Sequence, residues 1–207
     1  IISIGTALIP FLEHDDATRA LMGTNMQRQA VPTVNPEAPI IGTGVEARAA
    51  LDSGHVVRAD ESGEVTEVSG SHITVKGKSG DTRYRLSKFE RSNHSSGMNQ
   101  RPIVNVGEKV KKGGSLADGA STKNGELALG QNLLVAFMAW DGYNFDDAII
   151  VSDRLVKDDT LSSLYLSRHT LELRDTKLGP EVLTADIPNV SEEKIKHLDV
   201  EGIIRVG

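Results

Sequence analysis

The chain has 207 residues, with 23 Lys and Arg against 29 Asp and Glu for a net charge of -6. It therefore lacks the overall basic surface with which an autonomous, non-specific DNA binder releases counterions from phosphate. Apolar residues make up 38% and there is no cysteine, which excludes a disordered tail, a disulfide framework, a thiolate zinc site and thiol catalysis.

At about 150 residues per domain the length gives one or two domains. The chain opens on Ile1 without an initiator Met and stops at Val206-Gly207, so the expectation is a piece of a longer protein. No basic segment followed by an apolar one marks a secretory signal. The longest uncharged stretch, Leu127–Trp140, contains Gln131 and Asn132 and falls short of the roughly 20 apolar residues that span a bilayer. Twenty glycines with β-branched runs between them predict a mainly β protein with short helices, of α+β class.

The first element is a helix. In HDDATRALMGTNMQRQA, Asp15 or Asp16 serves as N-cap, good helix formers follow, and Pro32 sets the stop. At 100° per residue, Arg19, Met22, Asn25, Met26 and Gln29 share an arc of about 120°. A face that mixes a guanidinium, two amides and two flexible thioethers suits a surface touching a polyanion and stacked bases. The alternative is a half-buried helix whose methionines fill gaps and whose polar tips meet water.

Between Gly63 and Phe89, the runs EVTEV, HITVK and TRYRL alternate in polarity and are split by Ser-Gly-Ser and Gly-Lys-Ser-Gly-Asp turns, which predicts a three-stranded meander. Asn93–Arg101 reads as a polar loop. From Pro102 to Val151 a second β region is expected, with LLVAFMAW and AIIV as nearly continuous apolar strands buried on both faces. Inside it, NVGEKVKKGGSLADG resembles the hammerhead of biotinyl and lipoyl carrier domains, although Lys78 and Lys123, both expected in turns, lack the carrier context.

WDGYNFDDAIIV sets Asp141, Asp146 and Asp147 around a turn. Adjacent carboxylates there suit a hydrated Mg²⁺, and a solvated Asp/Asn turn is the alternative. The six histidines show no ligand spacing, and no GxxxxGK[ST], GxGxxG or GxSxG occurs. The last element is a short helix over Ser191–Leu198, with Ser191 as N-cap and Glu192 and Glu193 in its first turn.

Three long strings carry a family resemblance: GTALIPFLEHDDATRALMGTNMQRQAVP, then VGEKVKKGGSLADGASTKNGELALGQNLLVAFMAWDGYNFDDAIIVSDRLV, then RDTKLGPEVLTADIPNVSEEKIKHLDVEGIIRVG. They resemble the central to C-terminal part of the β subunit of bacterial DNA-directed RNA polymerase, and only the meander is unspecific.

The resemblance implies a nucleotidyltransferase segment beside the active centre, positioning NTP and the RNA 3′ end for transcription. It implies that Arg19 contacts the substrate triphosphate and that Met22, Asn25, Met26 and Gln29 lie near the RNA. Arg28 falls beside the rifamycin-binding region. Asp146 and Asp147 match an acidic pair near the second catalytic Mg²⁺, acting through water or nucleotide, while the principal metal ligands belong to the β′ subunit. The implied partners are β′, the α subunits, the sigma factor, the remainder of the β chain, DNA template, RNA transcript and NTPs, with no membrane. The implied location is the cytoplasm, at the nucleoid, or a plastid. The implied fold is a hybrid barrel or meander inserted next to part of a double-psi β-barrel. Its division is residues 1–59 for the active-centre helix and start of the barrel region, 60–91 for the inserted meander, and 92–207 for barrel strands, acidic turn and lead-in to the flap.

Four departures stand out: Asp146 where the family usually has Glu, Ala139 and Ala120 where it has Pro, and Gly114 where it has Asp. Asp146 reaches one methylene less far than Glu. Two other readings are a free-standing hammerhead-type carrier or interaction module, and a fragment serving as a binding platform for polymerase regulators.

Overall fold

The computed structural model describes residues 1–206, and the chain falls into two units, Ile1–Ser167 and Arg168–Gly207. In the first, the Ser3 hydroxyl accepts from the Thr6 N–H and caps a single turn, α1 (Ile4–Ala7). Asp16 caps α2 (Ala17–Gln27), accepting from the Thr18 N–H at 3.0 Å. The two helices meet through the Thr6 and Thr24 hydroxyls, 3.2 Å apart.

α2 stops well before Pro32. The Gln29 N–H bonds to the Met26 carbonyl and the Ala30 N–H to the Gln27 carbonyl, so the chain tightens into three-residue turns after Arg28. Val31 precedes a proline and is thereby biased away from helical backbone. Gln29 consequently lies beyond the helix, not on its face as the periodicity had it.

Next come α3 (Glu46–Asp52) and β1 (Val57–Arg58). The three alternating runs then form the expected meander of β2 (Gly63–Val68), β3 (His72–Gly77) and β4 (Asp81–Arg85). Val65 sits opposite Val75, and a bulge between Val65 and Glu67 re-registers the pair so that Val68 meets Ile73. Gly63 is needed at its place because a Cβ there would lie 2.4 Å from the Lys76 carbonyl oxygen. His72, nearly buried, is satisfied by the Ser69 hydroxyl at Nδ1 (2.8 Å) and by Glu67 at Nε2 (3.1 Å).

Asn93–Arg101 is not simply a loop. β5 (Glu90–Arg91) and β6 (Gly97–Met98) pair across it, closed by a turn in which Ser96 N–H bonds to the Ser92 hydroxyl, and β7 (Arg101–Pro102) starts at its end. Polar side chains do not prevent pairing, because the ladder is made by the backbone. β8 (Lys109–Val110) adds to the meander, giving the antiparallel order β4-β3-β2-β8. β9 (Ser115–Asp118) lies between β1 and β7 in a second sheet. Val65, Ile73 and Val75 from the first sheet pack with Leu116 and Ala117 from the second, together with Leu86, Val104 and Val110, in one shared core. Burying a side chain of Ile73's size contributes about 1.5–3 kcal/mol.

β10 (Thr122–Lys123) and β11 (Glu126–Leu127) form a hairpin whose two turn residues, Asn124 and Gly125, have φ of 51° and 78°. Asn-Gly favours that left-handed pair. Lys123 is therefore a strand residue, and Lys78 stays in the bend after β3.

The apolar runs LLVAFMAW and AIIV are not buried strands. Neither pairs with any strand among the described residues, and Leu134 and Phe137 are fully exposed. A continuous apolar run signals that something covers it, and no element of this unit does. α4 (Asp153–Lys157), capped by the Ser152 hydroxyl, follows.

In the second unit β12 (Asp175–Thr176) pairs with β13 (Gly179–Pro180), and α5 (Glu192–Ile195) is a single turn. Ser191 is its N-cap by position, but its hydroxyl makes no capping bond. The expected helix to Leu198 ends at Ile195, and Leu198 bridges to Ile204 instead. The chain is thus mainly β with a few short helices. Among the described residues no helix is long and apolar enough to cross a membrane.

Candidate functional site

α2 supplies the candidate site. No residue of the helix is buried, and its apolar members Leu21, Met22 and Met26 are all exposed. The methionines therefore do not fill gaps in a core. Arg19 sits in the first turn, exposed, and makes no hydrogen bond or ion pair with any described residue. A guanidinium held out from a capped helix is free to fork onto an oxyanion.

Further along, the half-buried Asn25 accepts through Oδ1 from the Arg28 guanidinium. Asn25 is thus already engaged, and Arg28 is drawn back over the C-terminal turn. Arg19, Met22, Asn25 and Met26 lie on the helix, whereas Gln29, also exposed, follows its end.

The acidic turn is built by Asn144. Its Oδ1 accepts from the Trp140 N–H at 2.9 Å and its Nδ2 donates to the Met138 carbonyl at 2.7 Å. Asp141, Gly142 and Asp146 all have positive φ (46°, 76° and 60°), a backbone that Asp tolerates better than most side chains. Asp146 and Asp147 occupy a turn rather than an extended strand, both exposed, and neither carboxylate hydrogen-bonds to a described residue. No hydrogen bond or ion pair links this turn to α2. No cluster of three or more His, Asp or Glu able to hold a metal occurs among the described residues.

A cavity between the loop 32–36 and the turn 118–124 has no counterpart in the sequence reading. Its lining comes from the segments 32–36, 97–103 and 118–124 together with Leu164, which lie far apart in the chain.

The family profile described as RNA polymerase Rpb2, domain 6, matches residues 58–207. The chain is also 56% identical over 208 aligned residues to the DNA-directed RNA polymerase subunit beta of Gloeobacter violaceus, across all of this chain and 19% of that relative. It thus spans about a fifth of the length of the relative that it matches.

Proposed function

The chain belongs to the RNA polymerase Rpb2 domain 6 family, and on that premise we propose that it is an active-centre segment of the β subunit of a multisubunit DNA-directed RNA polymerase. In this reading residues 1–59 carry the active-centre helix, 60–91 the inserted meander, and 92–207 the barrel strands, the acidic turn and the lead-in to the flap. The two-sheet core then corresponds to the hybrid barrel, beside part of a double-psi barrel. The partners are β′, the α subunits, sigma factor, the remainder of the β chain, template DNA, transcript and NTPs, in the cytoplasm or a plastid.

The reaction is nucleotidyl transfer: the RNA 3′-hydroxyl attacks the α-phosphate of an NTP and pyrophosphate leaves. Arg19 binds the triphosphate and neutralises charge that develops on it. Met22, Asn25, Met26 and Gln29 pack and hydrogen-bond around the RNA end, and Arg28 borders the rifamycin region. The principal ligands of the catalytic magnesium lie on β′, and Asp146 and Asp147 act through water or nucleotide. This chain therefore positions substrate and supplies neither nucleophile nor general base.

The observation that carries the reading is Arg19, exposed and without a partner among the described residues, at the capped end of a polar helix face. Its charge-assisted bonds to phosphate contribute roughly 1.5–3 kcal/mol each. In the assembled enzyme, Arg19→Ala should weaken NTP use about ten- to a hundredfold, at roughly 1.4 kcal/mol per decade. The loss should be equal for all four NTPs and partly recovered by Arg19→Lys. Single-nucleotide addition across NTP concentrations reads this, and an unchanged apparent affinity for NTP removes Arg19 from the substrate site.

A further inference from the structure

We propose that Asn124 is a covalent modification site, converted to aspartate and isoaspartate by attack of the Gly125 backbone nitrogen, and that Asp118 holds this reaction off in the folded chain. Asn124-Gly125 is the one Asn-Gly pair in the sequence. Glycine after asparagine favours the reaction, because no Cβ shields the attacking nitrogen and the backbone turns readily towards the side chain. Asn124 is also accessible. It is exposed in the turn of the β10–β11 hairpin, and its side-chain amide makes no hydrogen bond with a described residue.

The chemistry needs no reagent but water. The Gly125 nitrogen gives up its proton and bonds to Asn124 Cγ. The Cγ–Nδ2 bond breaks, and ammonia leaves with that proton. The resulting five-membered succinimide then takes up water at one of its two carbonyls. Opening at one restores the ordinary backbone as aspartate. Opening at the other gives isoaspartate, whose main chain runs through the former side chain and is one methylene longer. Nothing is oxidised or reduced.

Asp118 controls the rate. Its side chain is buried, and its carboxylate accepts from the Gly125 N–H at 2.7 Å and from the Asn124 N–H at 2.6 Å. The nitrogen that must attack is therefore tied to an anion, and ionising it would set a second negative charge against that carboxylate. The backbone is held as well. Gly125 is buried with φ of 78°, and a Cβ on it would lie 2.6 Å from Ser115 Oγ on β9. Swinging its nitrogen towards Cγ thus requires the hairpin to leave β9. The reaction runs through that open state, at a rate set by how often the hairpin opens. Isoaspartate, with its longer main chain, no longer fits a two-residue turn, so Asn124 records the opening irreversibly.

Peptide mapping of the assembled enzyme carrying this chain, incubated at pH 8, tests this. The mass gain from amide to acid marks conversion, and a split elution separates aspartate from isoaspartate. Conversion at Asn124 should be about tenfold or more slower in the native enzyme than in the same enzyme unfolded in urea. Asp118→Ala should speed native conversion about ten- to a hundredfold; Ala is used because Asn at that position would create a second Asn-Gly pair with Gly119. In wild type, sub-denaturing urea should accelerate conversion and Gly125 amide exchange in parallel, a readout that stands even where Asp118→Ala fails to fold. No conversion in urea, native conversion at the urea rate, a folded Asp118→Ala at the wild-type rate, or conversion that does not follow Gly125 exchange overturns the proposal.

Discussion

Glu46 offers the most direct test of how the first unit is held together. Its side chain is 8% exposed, yet it accepts from the Thr43 N–H at 2.7 Å, the Gly44 N–H at 2.8 Å and the Thr43 hydroxyl at 3.2 Å. α3 has no side-chain cap at Val45, so Glu46 folds back from the first turn and ties down the loop that enters the helix. Burial pushes its carboxyl up, but the hydrogen bonds from Thr43 and Gly44 together outweigh that and hold it below the ordinary value of 4.5. A carboxyl lowered by folding stabilises fully above its unfolded pKa and loses that stabilisation as pH falls through the folded one. Each bond to the charge is typically worth about 1.5–3 kcal/mol. Thr43 and Gly44 are exposed, however, and their donors regain water on truncation. Glu46→Ala should therefore cost about 2 kcal/mol net, which lowers Tm by roughly 4–8 °C for a domain of this size. Thermal unfolding of wild type and variant at pH 7 and pH 3 measures it. The gap should be full at pH 7 and close towards pH 3. A shift below about 1 °C at pH 7, or the same gap at both pH values, refutes the assignment.

Ile73, fully buried where the two sheets meet, should cost about 2–5 kcal/mol as Ile73→Ala, read as a lower urea midpoint; an unchanged midpoint would mean the sheets do not share a core. Asp118→Asn replaces the acceptor of the Asn124 and Gly125 N–H groups with a weaker, neutral one, so amide exchange in the 122–127 hairpin should speed up about five- to thirtyfold, for a loss of about 1–2 kcal/mol. Unaltered exchange there would show the hairpin holding by its turn alone. In the assembled enzyme, Asp147→Asn should slow nucleotide addition at low Mg²⁺ without impairing assembly, and an unchanged rate makes the acidic turn structural.

The parts legible in the sequence were those whose cause is local. Val65, Ile73 and Val75 alternate with polar neighbours and are bounded by turn residues, and the meander follows from that alone. Asn93–Arg101 misled because side-chain polarity says nothing about backbone pairing. Pro32 marks the latest point at which a helix can end, not where it does end, which is why Gln29 fell off the α2 face. On the site itself, spacing put Arg19, Met22, Asn25 and Met26 on one arc, yet spacing alone left a substrate-facing surface and a half-buried helix both open. The structure leaves Met22 and Met26 exposed while Ala20, Gly23, Thr24, Asn25 and Gln27 are half-buried, so the helix carries features of both. The cavity beside the loop 32–36 was illegible because its lining residues are brought together only by long-range packing.

The misread strands LLVAFMAW and AIIV say something further about the acidic turn. Leu134, Phe137, Phe145 and Ile149 are each more than four-fifths exposed, and they flank Asp146 and Asp147 on both sides. So much contiguous apolar surface is uncommon on a free-standing domain and marks a contact face. Within this unit the turn is fixed locally by Asn144, but nothing fixes the arms on either side of it. On the proposed reading, whatever buries those arms also sets where the two carboxylates point. Placement of the acidic turn is then a consequence of assembly. Asp146, one methylene shorter than the usual Glu, depends on that placement more than a longer side chain would, because it has less reach with which to compensate for a shifted turn.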